Sequence, residues 1–123
     1  MNNMFYGCSS LISLDLSNFN TINVNYMFDM FNNCTTLKNL NLSHFNTSNV
    51  DDISNMFCNC SSLEKIDIYS FNTENVIDMS NLFIGYIPLS SLDIKNFNTT
   101  SVKKNGKYVC KLYFFNLNRY IWI

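Results

Sequence analysis

The side chains best able to do chemistry in this 123-residue chain form a row of oxygen donors, Asp15, Asn41, Asp67 and Asp93, spaced 26 residues apart. Oxygen ligands in a row suit a hard cation such as Ca2+. Like charges on neighbouring strands repel modestly, and a bound ion would relieve Asp67 and Asp93. Solvation, or the nearby Lys65 and Lys95, does the same without any ion, so no metal or other cofactor is assigned. The single histidine, His44, stands where Asn18, Ser70 and Asn96 stand one period away, which suits an exposed filler better than a base. No serine sits in a G-x-S-x-G elbow, and three glycines are too few for a phosphate-cradling loop. Five cysteines are an odd set. Cys58 and Cys60 form C-x-C with no second ligand pair, so zinc is not supported. Cys8, Cys34 and Cys60 share the 26-residue spacing and read as small apolar fillers, although neighbouring strands lie close enough for a disulfide. Catalysis therefore has no visible machinery, and the chain reads as a non-enzyme.

Bulk properties narrow the remaining classes. Hydrophobic content of 47% supports a folded domain. A formal net charge of -1 offers no basic surface for nucleic acid. The opening MNNMFYGCSSL has neither the basic nor the apolar region of a signal peptide. The closing LYFFNLNRYIWI is too short, and too charged at Lys111 and Arg119, for a transmembrane span.

What positions these residues is a repeat. The stretch from Cys34 to Phe57 is matched by Cys8 to Phe31 and by Cys60 to Phe83, and a fourth copy runs from Tyr86 to Val102. Such a period indicates stacked supersecondary units. Each copy carries L-x-x-L-x-L, as in Leu37, Leu40 and Leu42, whose alternation predicts an inward-outward strand. FNT follows in all four copies. Phe19, Phe45, Phe71 and Phe97 are expected to stack inside, and Asn20, Asn46, Asn72 and Asn98 to serve tight turns and to ladder from coil to coil. Asn41, Asn46 and Asn98 also fit the N-x-[ST] glycan acceptor pattern. Ser54 and Ser80, each two residues after an aspartate (Asp52 and Asp78), predict the start of one or two helical turns. Gly7, Asn33, Asn59 and Gly85 share one column, and Gly and Asn are the residues that tolerate a left-handed backbone.

The resulting expectation is an α/β repeat solenoid. It is a leucine-rich-repeat-like right-handed coil over residues 1–102, with a parallel β-sheet and short helical turns, the first of about four coils being partial. Residues 103–123 form a C-terminal β-hairpin cap turning at Asn105-Gly106, or else a divergent tail. The exposed strand positions Ser13, Asp15, Asn39, Asn41, Lys65, Asp67, Ser91 and Asp93 are the candidate partner-binding residues. The uncovered end of the first coil predicts self-association.

The unit CSSLxxLDLSxFNTSNVxDMSNMF resembles the 26-residue leucine-rich repeats of BspA-like bacterial surface proteins, over Met4 to Val102. The resemblance implies a secreted or cell-surface location and a non-enzymatic interaction or adhesion module with a protein or glycan ligand. A structural spacer, or a fragment of a larger surface protein without its own ligand, is the rival. No site residue is carried over, because the shared positions are those that build the coil.

Overall fold

In the computed structural model, which describes residues 1–85, 88–103, 112–114 and 119–121, the copies lie one on another and bond through their backbones at a separation of 25 or 26 residues. Leu37, Leu42, Val50, Ile53, Met56, Phe57, Cys60 and Leu63 have no exposed surface at all, and Leu40 and Phe45 have almost none. Regular sheet is sparse. Strands β1 (Asn39–Asn41) and β2 (Lys65–Asp67) pair in parallel, Leu40 beside Ile66. Isolated parallel bridges join Tyr26, Asp52 and Asp78 on the other side of the coil.

The helical turns expected after Ser54 and Ser80 are absent, and the described residues contain no helix. The chain is therefore not an α/β leucine-rich-repeat-like coil with helical turns, and among the described residues its parallel sheet is two strands of three residues. The physical reason is local. Asn55, in the middle of the expected helix, has φ 54°, and its column partners Asn3, Asp29 and Asn81 have φ 56°, 55° and 58°. Gly7, Asn33, Asn59 and Gly85 form a second left-handed column four residues on, at φ 70°, 61°, 56° and 102°. A right-handed helix cannot run through two such residues per coil. The hydrogen bonds follow suit. The N–H groups of Met27, Asp29, Phe31 and Asn33 donate to Asp52, Ser54, Met56 and Cys58 of the next coil, at 2.9 to 3.0 Å. Those of Met30, Asn32 and Cys34 turn back three residues. A helix would send every one of them to the residue four before it.

Two columns share the interior differently from the sequence expectation. The face-to-face aromatic stack belongs to Phe5, Phe31, Phe57 and Phe83, with centroids 5.4, 5.8 and 5.2 Å apart. Such pairs add about 0.5–1.5 kcal/mol each beyond burial. Phe45 and Phe71 of the FNT column are buried beside that stack rather than in it. Within the FNT segments the inter-coil ladder is made by threonine, not asparagine. Thr47 Oγ1 donates to the Asn72 carbonyl at 2.9 Å and accepts from the Asn72 N–H at 2.8 Å. Thr21 and Thr73 do the same to Asn46 and Asn98. The asparagine side chains instead close their own turns, as when Asn72 Oδ1 accepts the Glu74 N–H at 2.9 Å. A hydroxyl that both donates and accepts satisfies the N–H and the C=O of one residue together, which a carboxamide committed to its own turn cannot do.

At the C-terminal end, β3 (Leu112–Phe114) and β4 (Arg119–Ile121) pair antiparallel. This pairing brackets residues 115–118, not the Asn105-Gly106 turn, which lies outside the described residues.

Candidate interaction face

Strand alternation turns two columns outward on either side of Leu14, Leu40, Ile66 and Leu92. All eight candidate residues, Ser13, Asp15, Asn39, Asn41, Lys65, Asp67, Ser91 and Asp93, are exposed. The structure nevertheless divides them by task. Asp15, Asn41, Asp67 and Asp93 each accept the N–H two residues on, from Ser17 at 2.9 Å, Ser43 at 3.0 Å, Tyr69 at 3.2 Å and Lys95 at 3.1 Å. These are Asx turns that steer the chain from the strand toward the buried Phe column. The Ser17 backbone N–H, helped by the Ser17 hydroxyl, holds the Asp15 carboxyl below its ordinary range. The Lys95 N–H and ammonium do the same for Asp93, and Asp93 in turn raises Lys95. Lys95 Nζ lies 3.1 Å from Asp93 Oδ2 and 4.8 Å from the Tyr69 ring centre. Backbone donors and a lysine thus balance the carboxylates of this row. Among the described residues no cluster of three His, Cys, Asp or Glu side chains is placed to hold a metal ion.

The other column is unemployed. Ser13, Asn39, Lys65 and Ser91 make no side-chain hydrogen bond among the described residues, and the column changes residue type from coil to coil. Between the two columns lies a shallow, open depression of about 350 Å3, lined by Asn39, Leu40, Asn41, Lys65, Ile66 and Asp67. A smaller one of about 90 Å3 beside it includes Asp15, Asn41 and His44.

His44 is exposed, as its column suggests, but it is more than a filler. Its Nε2 lies 2.8 Å from the Leu16 carbonyl, so this nitrogen carries the proton and donates to the preceding coil. Ser70 Oγ reaches the Leu42 and Phe45 carbonyls at 3.3 and 3.2 Å, and Asn96 Nδ2 reaches the Tyr69 carbonyl at 3.1 Å. His44, Ser70 and Asn96 can share a column because each carries a side-chain donor, a property legible from the residue types alone.

Three of the cysteines, Cys34, Cys58 and Cys60, are buried away from any nucleophilic role. Cys8, Cys34, Cys58 and Cys60 are free thiols. Cys34 Sγ donates to the Phe5 carbonyl and Cys60 Sγ to the Phe31 carbonyl, both at 3.1 Å. Burial pushes Cys34 up to about 11 and Cys60 up to about 12. Burial, aided by the Asp29 charge, also raises Cys58. Protonated buried thiols are inert. Cys110 lies outside the described residues.

Among the described residues no helix is long and apolar enough to cross a membrane. No curated protein and no solved structure matches the chain. One family does match, over residues 1–122. The stacked, turn-rich coil with its two outward columns therefore has a family context, and the chain belongs to the family described as Mycoplasma protein of unknown function, DUF285.

Proposed function

We propose that this chain is a non-enzymatic interaction module that presents the Ser13, Asn39, Lys65 and Ser91 column, flanked by Asp15, Asn41, Asp67 and Asp93, to a protein or glycan at the cell surface or outside the cell. The observation that carries the reading is the division of labour on this face. One outward column is consumed by turn closure, while the other is exposed, varied and free of internal bonds among the described residues. A side chain that stabilises nothing in the fold can be changed to suit a partner, and hydroxyl, amide and ammonium groups above a shallow apolar floor suit hydroxyl-rich ligands or polar peptide surfaces. The location rests on the resemblance to BspA-like surface proteins. Self-association through uncovered coil ends belongs to the same proposal.

The structural-spacer reading has one observation in its favour, the engagement of half of the candidate residues in turns. A glycan array probed with the purified chain separates the two. The interaction reading expects retained ligands whose binding falls at least tenfold in Lys65→Ala and Asn39→Ala, with unchanged circular dichroism. Ligands held equally well by both variants would sink this face as the site. Asp67→Ala is a poor probe, because it also opens the turn at Tyr69.

A further inference from the structure

Two residues beyond β2 the chain exposes an aromatic ring, that of Tyr69. The other coils place Ser17, Ser43 and Lys95 in this column, so the ring interrupts an otherwise polar surface. Tyr69 is 54% exposed. Its hydrogen bonds among the described residues use the backbone alone. The N–H donates to Asp67 Oδ1 at 3.2 Å, and the carbonyl accepts from Asn96 Nδ2 at 3.1 Å. Lys95 Nζ lies 4.8 Å from the ring centre and 3.1 Å from Asp93 Oδ2, so the next coil holds the ring through an ion-paired lysine. The side chain is thus positioned without itself serving the hydrogen bonding of the fold.

Asp67 links this ring to the face described above, because it both anchors the Tyr69 N–H and lines the depression of about 350 Å3 between the second and third coils. Leu40 and Ile66 give that depression an apolar floor, and Asn39, Asn41, Lys65 and Asp67 surround it with hydrogen-bonding groups. Its charges cancel, since Lys65 is matched by Asp67, and the adjoining Lys95–Asp93 pair is neutral as well. Such a lining offers no net attraction to an anion or a cation. Amides, an ammonium and a carboxylate side by side present donors and acceptors together, which suits hydroxyl groups, because a hydroxyl does both.

From this arrangement we infer that the ligand is an uncharged saccharide, one sugar ring of which packs its C–H face on Tyr69 while its hydroxyls bond Asn39, Asn41, Lys65 and Asp67. A sugar ring is apolar across its faces and hydroxyl-rich around its rim, the same division that the ring, the floor and the polar border show. Its C–H groups are weakly positive and meet the negative face of an aromatic ring. A tyrosine already held in place supplies rigid amphipathic contact area at low entropy cost. A peptide would find an open, shallow depression here and no enclosed pocket for a side chain. This inference rests on the interaction module proposed above, names the class of its ligand and adds Tyr69 to the residues that hold it.

Surface plasmon resonance on the immobilised full-length chain tests it. The analytes are neutral oligosaccharides of glucose, galactose and N-acetylglucosamine, their sialylated forms, and a panel of deglycosylated extracellular proteins. At least one neutral oligosaccharide should bind. Its affinity should fall about tenfold or more in Tyr69→Ser and stay within about twofold in Tyr69→Phe, since truncating an aromatic anchor is costly and removing its hydroxyl is not. Serine occupies this column at Ser17 and Ser43, so Tyr69→Ser should keep the thermal unfolding midpoint of wild type. Binding of sialylated forms alone, or of no saccharide, overturns the inference. If a deglycosylated protein then binds and is lost in Lys65→Ala and Asn39→Ala, the interaction module itself still stands. A neutral oligosaccharide weakened by Lys65→Ala and Asn39→Ala but not by Tyr69→Ser overturns the role of the ring. One held equally well by all these variants overturns both the inference and the face.

Discussion

Replacing Thr47 by Val keeps the shape of a buried side chain and removes one oxygen, which isolates the inter-coil ladder from packing. Thr47 is 2% exposed, and its Oγ1 lies 2.9 Å from the Asn72 carbonyl and 2.8 Å from the Asn72 nitrogen. Valine leaves both the N–H and the C=O of Asn72 without this partner. An unpaired buried donor or acceptor costs about 1–3 kcal/mol. The two together should cost about 2–4 kcal/mol, since partial access to water beside the exposed Asn72 side chain lowers the upper end. Thr47→Ser retains the hydroxyl and loses one methyl, at about 0.8 kcal/mol. Thr99→Val, at the exposed fourth position of the same column, should cost about 0.5 kcal/mol or less, as surface changes usually do. Urea unfolding followed by far-ultraviolet circular dichroism measures all three against wild type. The account requires Thr47→Val to be far less stable than Thr47→Ser, with Thr99→Val near wild type. It would be refuted if Thr47→Val lay within about 0.5 kcal/mol of wild type, or if serine cost as much as valine, because packing would then outweigh the hydroxyl.

Other consequences follow from the same geometry. At Asn55 (φ 54°), Asn55→Gly should be neutral or stabilising, while Asn55→Val should cost about 1–2 kcal/mol in the same urea assay, because a left-handed backbone penalises a Cβ-branched residue. Gly85→Ala should be worse than a surface change, since the φ is 102° and an added Cβ would meet the Asn59 backbone at 3.2 Å and its Oδ1 at 2.5 Å; a melting midpoint equal to wild type would contradict this. Phe57→Ala, removing the ring between Phe31 and Phe83, should cost about 3–5 kcal/mol and destabilise both neighbouring coils, as read from the same urea transitions. Alkaline pH should also weaken the fold. Cys34 and Cys60 hold their protons in the folded state up to about 11 and 12 but release them near 9.0 when unfolded, so the unfolded chain binds fewer protons in that interval. Their contribution is complete below about pH 9 and is lost as pH rises toward about 11 to 12, at up to about 1.4 kcal/mol per pH unit for each thiol. Unfolding midpoints at about pH 8 and about pH 10.5, on either side of the unfolded thiol value, should converge in Cys60→Ala relative to wild type. An unaltered pH dependence would show that these thiols are not responsible.

Much of the coil is legible without coordinates because the 26-residue period makes each position its own control. Leu37, Leu40, Leu42, Phe45, Val50, Ile53 and Phe57 are expected inside from periodicity and are buried. The column Gly7, Asn33, Asn59 and Gly85 is expected to turn left-handed and does. The exposed outward columns are equally readable, since a strand alternates its faces. The expected helices fail because Ser-Asn-Met-Phe after an aspartate satisfies a capping pattern and an Asx turn equally well. Which wins depends on whether Asn55 enters the left-handed region, and that is decided by the hydrogen bonds the neighbouring coil accepts. The division within the interaction face is hidden for a related reason. Asp67 and Lys65 look alike as exposed polar residues, and only the position of the Tyr69 N–H assigns one of them to a turn.

The residue pattern alone determined the period, the interior positions and the places where the backbone must turn, because burial and φ preference are properties of single side chains. The tertiary structure decided which partner each polar group takes. Thr47 rather than Asn46 reaches across coils, Phe31 rather than Phe45 stacks, and Phe31 N–H bonds Met56 instead of closing a helix. These choices are made between residues 25 or 26 positions apart, where the distance is set by how the coils stack and no local preference can specify it.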